Sequence, residues 1–154
     1  MKRDDSIKRI IDYFRARKEV SALYLFGSAA KGRQNAGSDI DVAVLVDEKK
    51  LQEKNFDILR RDYYAASPRL TLGSMDIVIL NTAPPHLKHR ILKTGSLLFD
   101  RNRKLRVKFA ANAILEYLDY KPIEDICLRA VAGRFRRGAV GRNTALILKD
   151  SAGP

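Results

Sequence analysis

The run "DIDVAVLV" at positions 39–46 constrains this chain more than any other stretch. Alternate side chains of a strand leave on the same face. Ile40, Val42, Val44 and Val46 therefore fill one face, while Ala43 and Leu45 continue the other face from Asp41. A strand apolar on both faces is central and buried. Its opening carries two carboxylates, Asp39 and Asp41, on one face with alpha carbons about 6.5 Å apart by strand rise. Like charges at the end of such a strand repel each other and lose hydration, which raises their pKa values unless a positive partner is present.

The remaining pattern surrounds this strand with alternating elements. Ile7, Ile10, Ile11 and Phe14 predict a helix over Ser6–Arg17, and "VSALYLF" predicts a strand over Val20–Phe26. A helical turn is expected at Ser28–Gly32 and a loop over Arg33–Gly37. Leu51–Ala66 reads as a helix in which Tyr63 and Tyr64 pack, and "LTLGSMDIVIL" holds a strand ending near Asn81. Pro84 or Pro85 opens a helix through Lys93 with Gly95 as its cap, and Ser96–Asp100 is a short strand. Leu105–Tyr120 is expected to be a helix turning Val107, Phe109, Ala110, Ile114, Leu115 and Leu118 inward, with a further helix at Ile126–Phe135. This order predicts an α/β (α+β) domain: a small mixed sheet flanked by helices, followed by a C-terminal helical extension. At 154 residues and 45% hydrophobic, the chain suffices for one substantial core.

"SMDIVIL" places Asp76 at the start of the second buried strand. Were the two strands neighbours, Asp76 would reach Asp39 and Asp41. A divalent cation removes the penalty on such a cluster, and Mg²⁺ takes carboxylates together with phosphate oxygens. Three carboxylates can hold two metals about 4 Å apart, the arrangement for in-line phosphoryl displacement. One would lower the pKa of an attacking hydroxyl, and the other would clamp a triphosphate. Gly27 lets backbone approach a phosphate, and Ser28 opens a helix whose free N–H groups favour an anion. Lys31, one turn later, can reach phosphate as a point charge. Gly-Ser alone carries no weight, and Asp-x-Asp alone is common. Jointly, after a β-run, they fix about six positions, a coincidence on the order of one in 10⁷ start sites.

At Gly27, Ser28, Asp39, Asp41 and Asp76 the chain resembles the polymerase-β-type nucleotidyltransferase superfamily, specifically its minimal (MNT-type) members. The segments "APPHLKHRILKTGSLLFDRN" and "LEYLDYKP" are similar to the helix, strand and closing helix that come after the third Asp in those proteins. The resemblance implies the polymerase-β-like fold, with a nucleotidyltransferase domain over residues 1–122 and a basic helical or partly flexible extension over 123–154. It implies that Asp39 and Asp41 bind two Mg²⁺ ions, that Asp76 binds one and helps deprotonate the acceptor, and that Gly27 and Ser28 hold the triphosphate of ATP. Lys31 stands where the family often has Arg. Many MNT proteins are antitoxins that transfer AMP from ATP to a tyrosine of a HEPN-type toxin. The resemblance implies that role here, with that toxin and a nucleoside triphosphate as partners.

Other classes stay in view. A small-molecule nucleotidyltransferase of the aminoglycoside-modifying kind shares the motif but needs an extra pocket and a separate base, for which no candidate stands out. A non-catalytic antitoxin would act by docking alone. The 30 Lys and Arg against 18 Asp and Glu give a formal charge of +12, denser after residue 100, which points to an anionic partner. Nucleic acid enters only through the Arg-rich stretch "RFRRGAVGR". His86 and His89 read as surface helix residues, and Arg90 on that helix is a candidate to face the cleft. A single cysteine, Cys127, excludes a disulfide framework, and no apolar run reaches membrane-spanning length, so a cytoplasmic location is expected.

Overall fold

In the computed structural model, residues 3–27, 39–52 and 55–136 are described. Helix α1 (Arg3–Ala16) leads into strand β1 (Val20–Phe26), and β2 (Ile40–Val46) follows. After a 3₁₀ turn at Glu48–Lys50 come α2 (Phe56–Leu70), β3 (Met75–Ile79), a second 3₁₀ turn (Leu80–Thr82), α3 (Pro85–Thr94), β4 (Ser96–Asp100) and α4 (Arg103–Arg136). The strands lie in the order β3-β2-β1-β4. β1 runs antiparallel to both β2 and β4, whereas β3 is parallel to β2, joined to it through α2. The sheet is thus mixed, as the alternating pattern predicts.

Two apolar layers sandwich the sheet. On one face Ile40, Val42, Val44 and Val46 meet Ile10 and Phe14 of α1 and Tyr63 of α2. On the other, Ala43 and Leu45 pack with Tyr24, Leu80 and Ile91. The two-faced reading of the 40–46 run therefore holds residue by residue. Tyr63 is fully buried, edge-on to Phe14 at 5.0 Å between ring centres, and its hydroxyl donates to Glu19 Oε1 at 3.1 Å. Burial and the neighbouring Glu19 push that phenol's pKa up.

Helix α1 starts at Arg3, three residues before the expected Ser6, and ends at Ala16, and two further helices differ from the sequence expectation. α2 begins at Phe56 rather than Leu51, because the Asn55 side chain accepts from the N–H groups of Asp57 and Ile58 and so caps the first turn. It also runs past Ala66 to Leu70, with Pro68 in its last turn. α4 is one continuous helix through Pro122 instead of two. Its apolar residues do not all turn inward. Phe109 packs on the second layer and Ala113 is buried, but Val107, Ile114, Leu115 and Leu118 are exposed. At 3.6 residues per turn those four lie about 120–180° around the helix from Phe109, so one supporting surface cannot cover both sides.

Tyr117 is the last residue of the first compact unit, and Leu118 begins a second. Among the described residues no helix is long and apolar enough to cross a membrane.

Candidate active site

The sheet topology collects the acidic residues at one end. β2 and β3 are parallel and in register, so Asp41 sits directly opposite Asp76. Residues opposite each other on neighbouring strands project from the same face, which makes these two carboxylates neighbours. Asp39 lies just before β2, where its Oδ1 accepts a hydrogen bond from the Ser74 hydroxyl. The Ile40 N–H donates to the Ser74 carbonyl at 3.0 Å, so the entry to β2 is tied to the segment leading into β3. Asp39 and Asp76 are exposed, while Asp41 is half-buried.

Burial raises the pKa of Asp41 above the ordinary aspartate value, and the negative charges of Asp76 and Asp39 raise it further. Arg90 on α3 acts in the opposite direction. Arg90, a candidate to face the cleft, is thus close enough to Asp41 for its charge to be felt there. Its neighbour His89 instead stacks flat on Tyr117, with ring centres 4.0 Å apart.

Gly27 comes directly after Phe26, the last residue of β1, which pairs with Asp41. The φ of Gly27 is +74°, in the left-handed region that residues other than glycine rarely adopt. A Cβ added there would stand 1.9 Å from Asp41 Oδ2 and 2.8 Å from its Cγ. The glycine predicted to admit a phosphate therefore also leaves room for the Asp41 carboxylate. Ser28 and Lys31 lie outside the described residues.

The structure adds two residues that the sequence pattern does not single out. Tyr64, expected to pack like Tyr63, is 38% exposed, and its hydroxyl donates to Asp76 Oδ1 at 2.6 Å. The same hydroxyl accepts the Ile77 N–H at 3.0 Å. Burial, then the hydrogen bond to Asp76, push the Tyr64 phenol's pKa upward. A signal is present in the sequence: adjacent helical residues point about 100° apart, so two tyrosines in a row cannot both centre on one buried stripe. Ser74, the other, gives no sign of its role in a stretch of ordinary turn residues.

Among the described residues, no three His, Cys, Asp or Glu side chains already converge as a metal cage. The donor chemistry nonetheless fits a hard divalent cation. Asp41 faces Asp76 across the β2–β3 pair, with Asp39 two residues before Asp41, and the burial and neighbouring negative charges that raise the pKa of Asp41 are penalties that a cation would offset. A separate cavity of about 640 Å³ opens along β3 and the starts of α2 and α3, lined by Phe56, Arg60, Ile77, Ile79, Pro84 and Leu87 among others. None of the three aspartates lines it.

Residues 8–104 match the family described as "Polymerase beta, Nucleotidyltransferase". The chain is 32% identical over 126 residues to the protein adenylyltransferase MntA of Aphanizomenon flos-aquae (strain 2012/KM1/D3), covering 77% of this chain and 82% of that protein. Among solved structures it is similar to a chain of a toxin–antitoxin crystallised with AMP-PNP, at 25% identity and a TM-score of 0.65, over 82% of this chain and 98% of that one. The fold is also shared with a chain from the tri-AMPylated Shewanella oneidensis HEPN toxin in complex with MNT antitoxin. There the identity is 23% and the TM-score 0.62, over 82% of this chain and 96% of that one.

Proposed function

The chain belongs to the polymerase beta nucleotidyltransferase family, and on that premise we propose that it is a protein adenylyltransferase. It moves AMP from ATP to a hydroxyl, a tyrosine's, on a cognate HEPN-type toxin and thereby neutralises it. The observation that carries this reading is the parallel register that sets Asp41 against Asp76, with Asp39 two residues before Asp41. Support for the acceptor comes from the relatives, one a protein adenylyltransferase and another part of a toxin–antitoxin with a nucleotide analogue. In this reading residues 1–122 form the catalytic domain and 123–154 an extension, and the protein works in the cytoplasm.

Asp39, Asp41 and Asp76 would hold two Mg²⁺ ions, which when bound lower the pKa of the acceptor hydroxyl and offset charge on the departing pyrophosphate. Asp76 accepts the proton of the acceptor hydroxyl. The acceptor oxygen forms a bond to the α-phosphorus as the bond to the bridging oxygen breaks, and pyrophosphate leaves. Gly27 and Ser28 take the phosphate chain, with Lys31 adding positive charge. Arg90 counters the negative charge collected around Asp41.

The test is intact-mass spectrometry of the co-purified toxin after incubation with ATP and Mg²⁺. The expected result is addition of AMP units mapping to tyrosine, abolished by Asp41→Asn. A toxin that stays unmodified while being neutralised would overturn the catalytic reading.

A further inference from the structure

Among the described residues β3 is the edge strand of the sheet, and its outward N–H groups have no strand partner there. One of them, on Ile77, donates instead to the Tyr64 hydroxyl at 3.0 Å. That hydroxyl has a single proton and gives it to Asp76 Oδ1 over 2.6 Å. The chain Ile77 N–H to Tyr64 to Asp76 therefore ties an exposed carboxylate back to the strand that bears it, through a residue of another element, α2.

An aspartate at a solvent-exposed strand position ordinarily turns freely about its side-chain bonds. Here one oxygen is held. The base of the clamp is firm as well, because the preceding residue, Tyr63, is fully buried against Phe14 and anchors this turn of α2.

We propose that Tyr64 is a positioning residue for the transfer reaction: its hydroxyl holds one oxygen of Asp76 and so orients the other toward the acceptor hydroxyl and metal. The inference rests on the reading of Asp76 as a catalytic carboxylate. Groups that orient a ligand in this way typically contribute ten- to a hundred-fold to affinity or rate.

The experiment compares the full-length wild-type chain with Tyr64→Phe, Asp76→Ala and the double variant. Four quantities are read: kcat and KM for ATP with the cognate toxin, Mn²⁺ affinity by calorimetry, and Tm. Tyr64→Phe keeps the ring and deletes the hydroxyl. It is expected to lower kcat about tenfold and weaken Mn²⁺ binding about fivefold, with KM for ATP within about twofold. In the Asp76→Ala background the same change should leave Mn²⁺ affinity unaltered, since the group it acts through is gone. An equal loss of Mn²⁺ affinity in both backgrounds, with a lowered Tm, would make Tyr64 a cap of the strand edge only and overturn the proposal. Full kcat and Mn²⁺ affinity in Tyr64→Phe beside an inactive Asp76→Ala would overturn it while leaving the adenylyltransferase reading intact. Wild-type activity in Asp76→Ala would remove that catalytic reading, and the positioning role with it.

Discussion

Replacing Gly27 by alanine probes the acidic site without touching a charge. The new Cβ would stand 1.9 Å from Asp41 Oδ2 and 2.8 Å from Cγ. Restoring an ordinary contact of about 3.4 Å requires the carboxylate to move by about 1.5 Å. The Cγ contact means that rotating the oxygens alone does not suffice, so the strand or the turn must give as well. Alanine also meets a φ of +74°, a left-handed conformation that costs about 1–2 kcal/mol. For a chain of this size that strain corresponds to a fall in Tm of about 2–8 °C. The catalytic effect should be larger, because misplacing a reacting group by about 1 Å typically costs on the order of a hundredfold. The assay pairs thermal unfolding with the rate of AMP transfer to the toxin. Gly73→Ala serves as control, since a Cβ there meets nothing within 4 Å. Gly27→Ala with an unchanged Tm and a wild-type rate would refute the argument that this glycine makes room for Asp41.

The same geometry sets the behaviour of two other variants. The folded pKa of Asp41 lies above its unfolded value, so ionising it opposes folding: its favourable contribution is complete below about pH 3.8 and is lost as pH rises through the folded pKa. Asp41→Asn should therefore melt higher than wild type at neutral pH without metal, and the gain should vanish below the ordinary aspartate value. Added Mn²⁺ should reverse the order by stabilising wild type alone, which melting curves across pH and metal concentration will check. Asn55→Ala removes the side chain that caps α2 and should cost about 1 kcal/mol, read as a Tm drop of about 2–4 °C with no change in KM for ATP.

The strands are the most legible part of the sequence. β1 and β4 occupy Val20–Phe26 and Ser96–Asp100, as their apolar runs predict, and β2 differs only in that Asp39 lies just outside it. Helix ends are harder. A mixture of polar and apolar residues precedes Asn55, and only the hydrogen bonds of its side chain decide where α2 starts. α4 misleads for a different reason: it carries apolar residues around most of its circumference, so periodicity alone cannot say which side meets the sheet. Tyr64 reads as packing because its neighbour Tyr63 does pack, although the two point in different directions.

Alternation along residues 39–46 by itself determined that this strand is buried on both faces and that Asp39 and Asp41 gather at its start, because side-chain direction in a strand depends only on position along the chain. Pairing Asp41 with Asp76, backing it with Gly27 and clamping Asp76 with Tyr64 were decided only by the tertiary structure. Those contacts join segments 12 to 35 residues apart. Their partners and register depend on how helices and strands pack together, which no local pattern encodes.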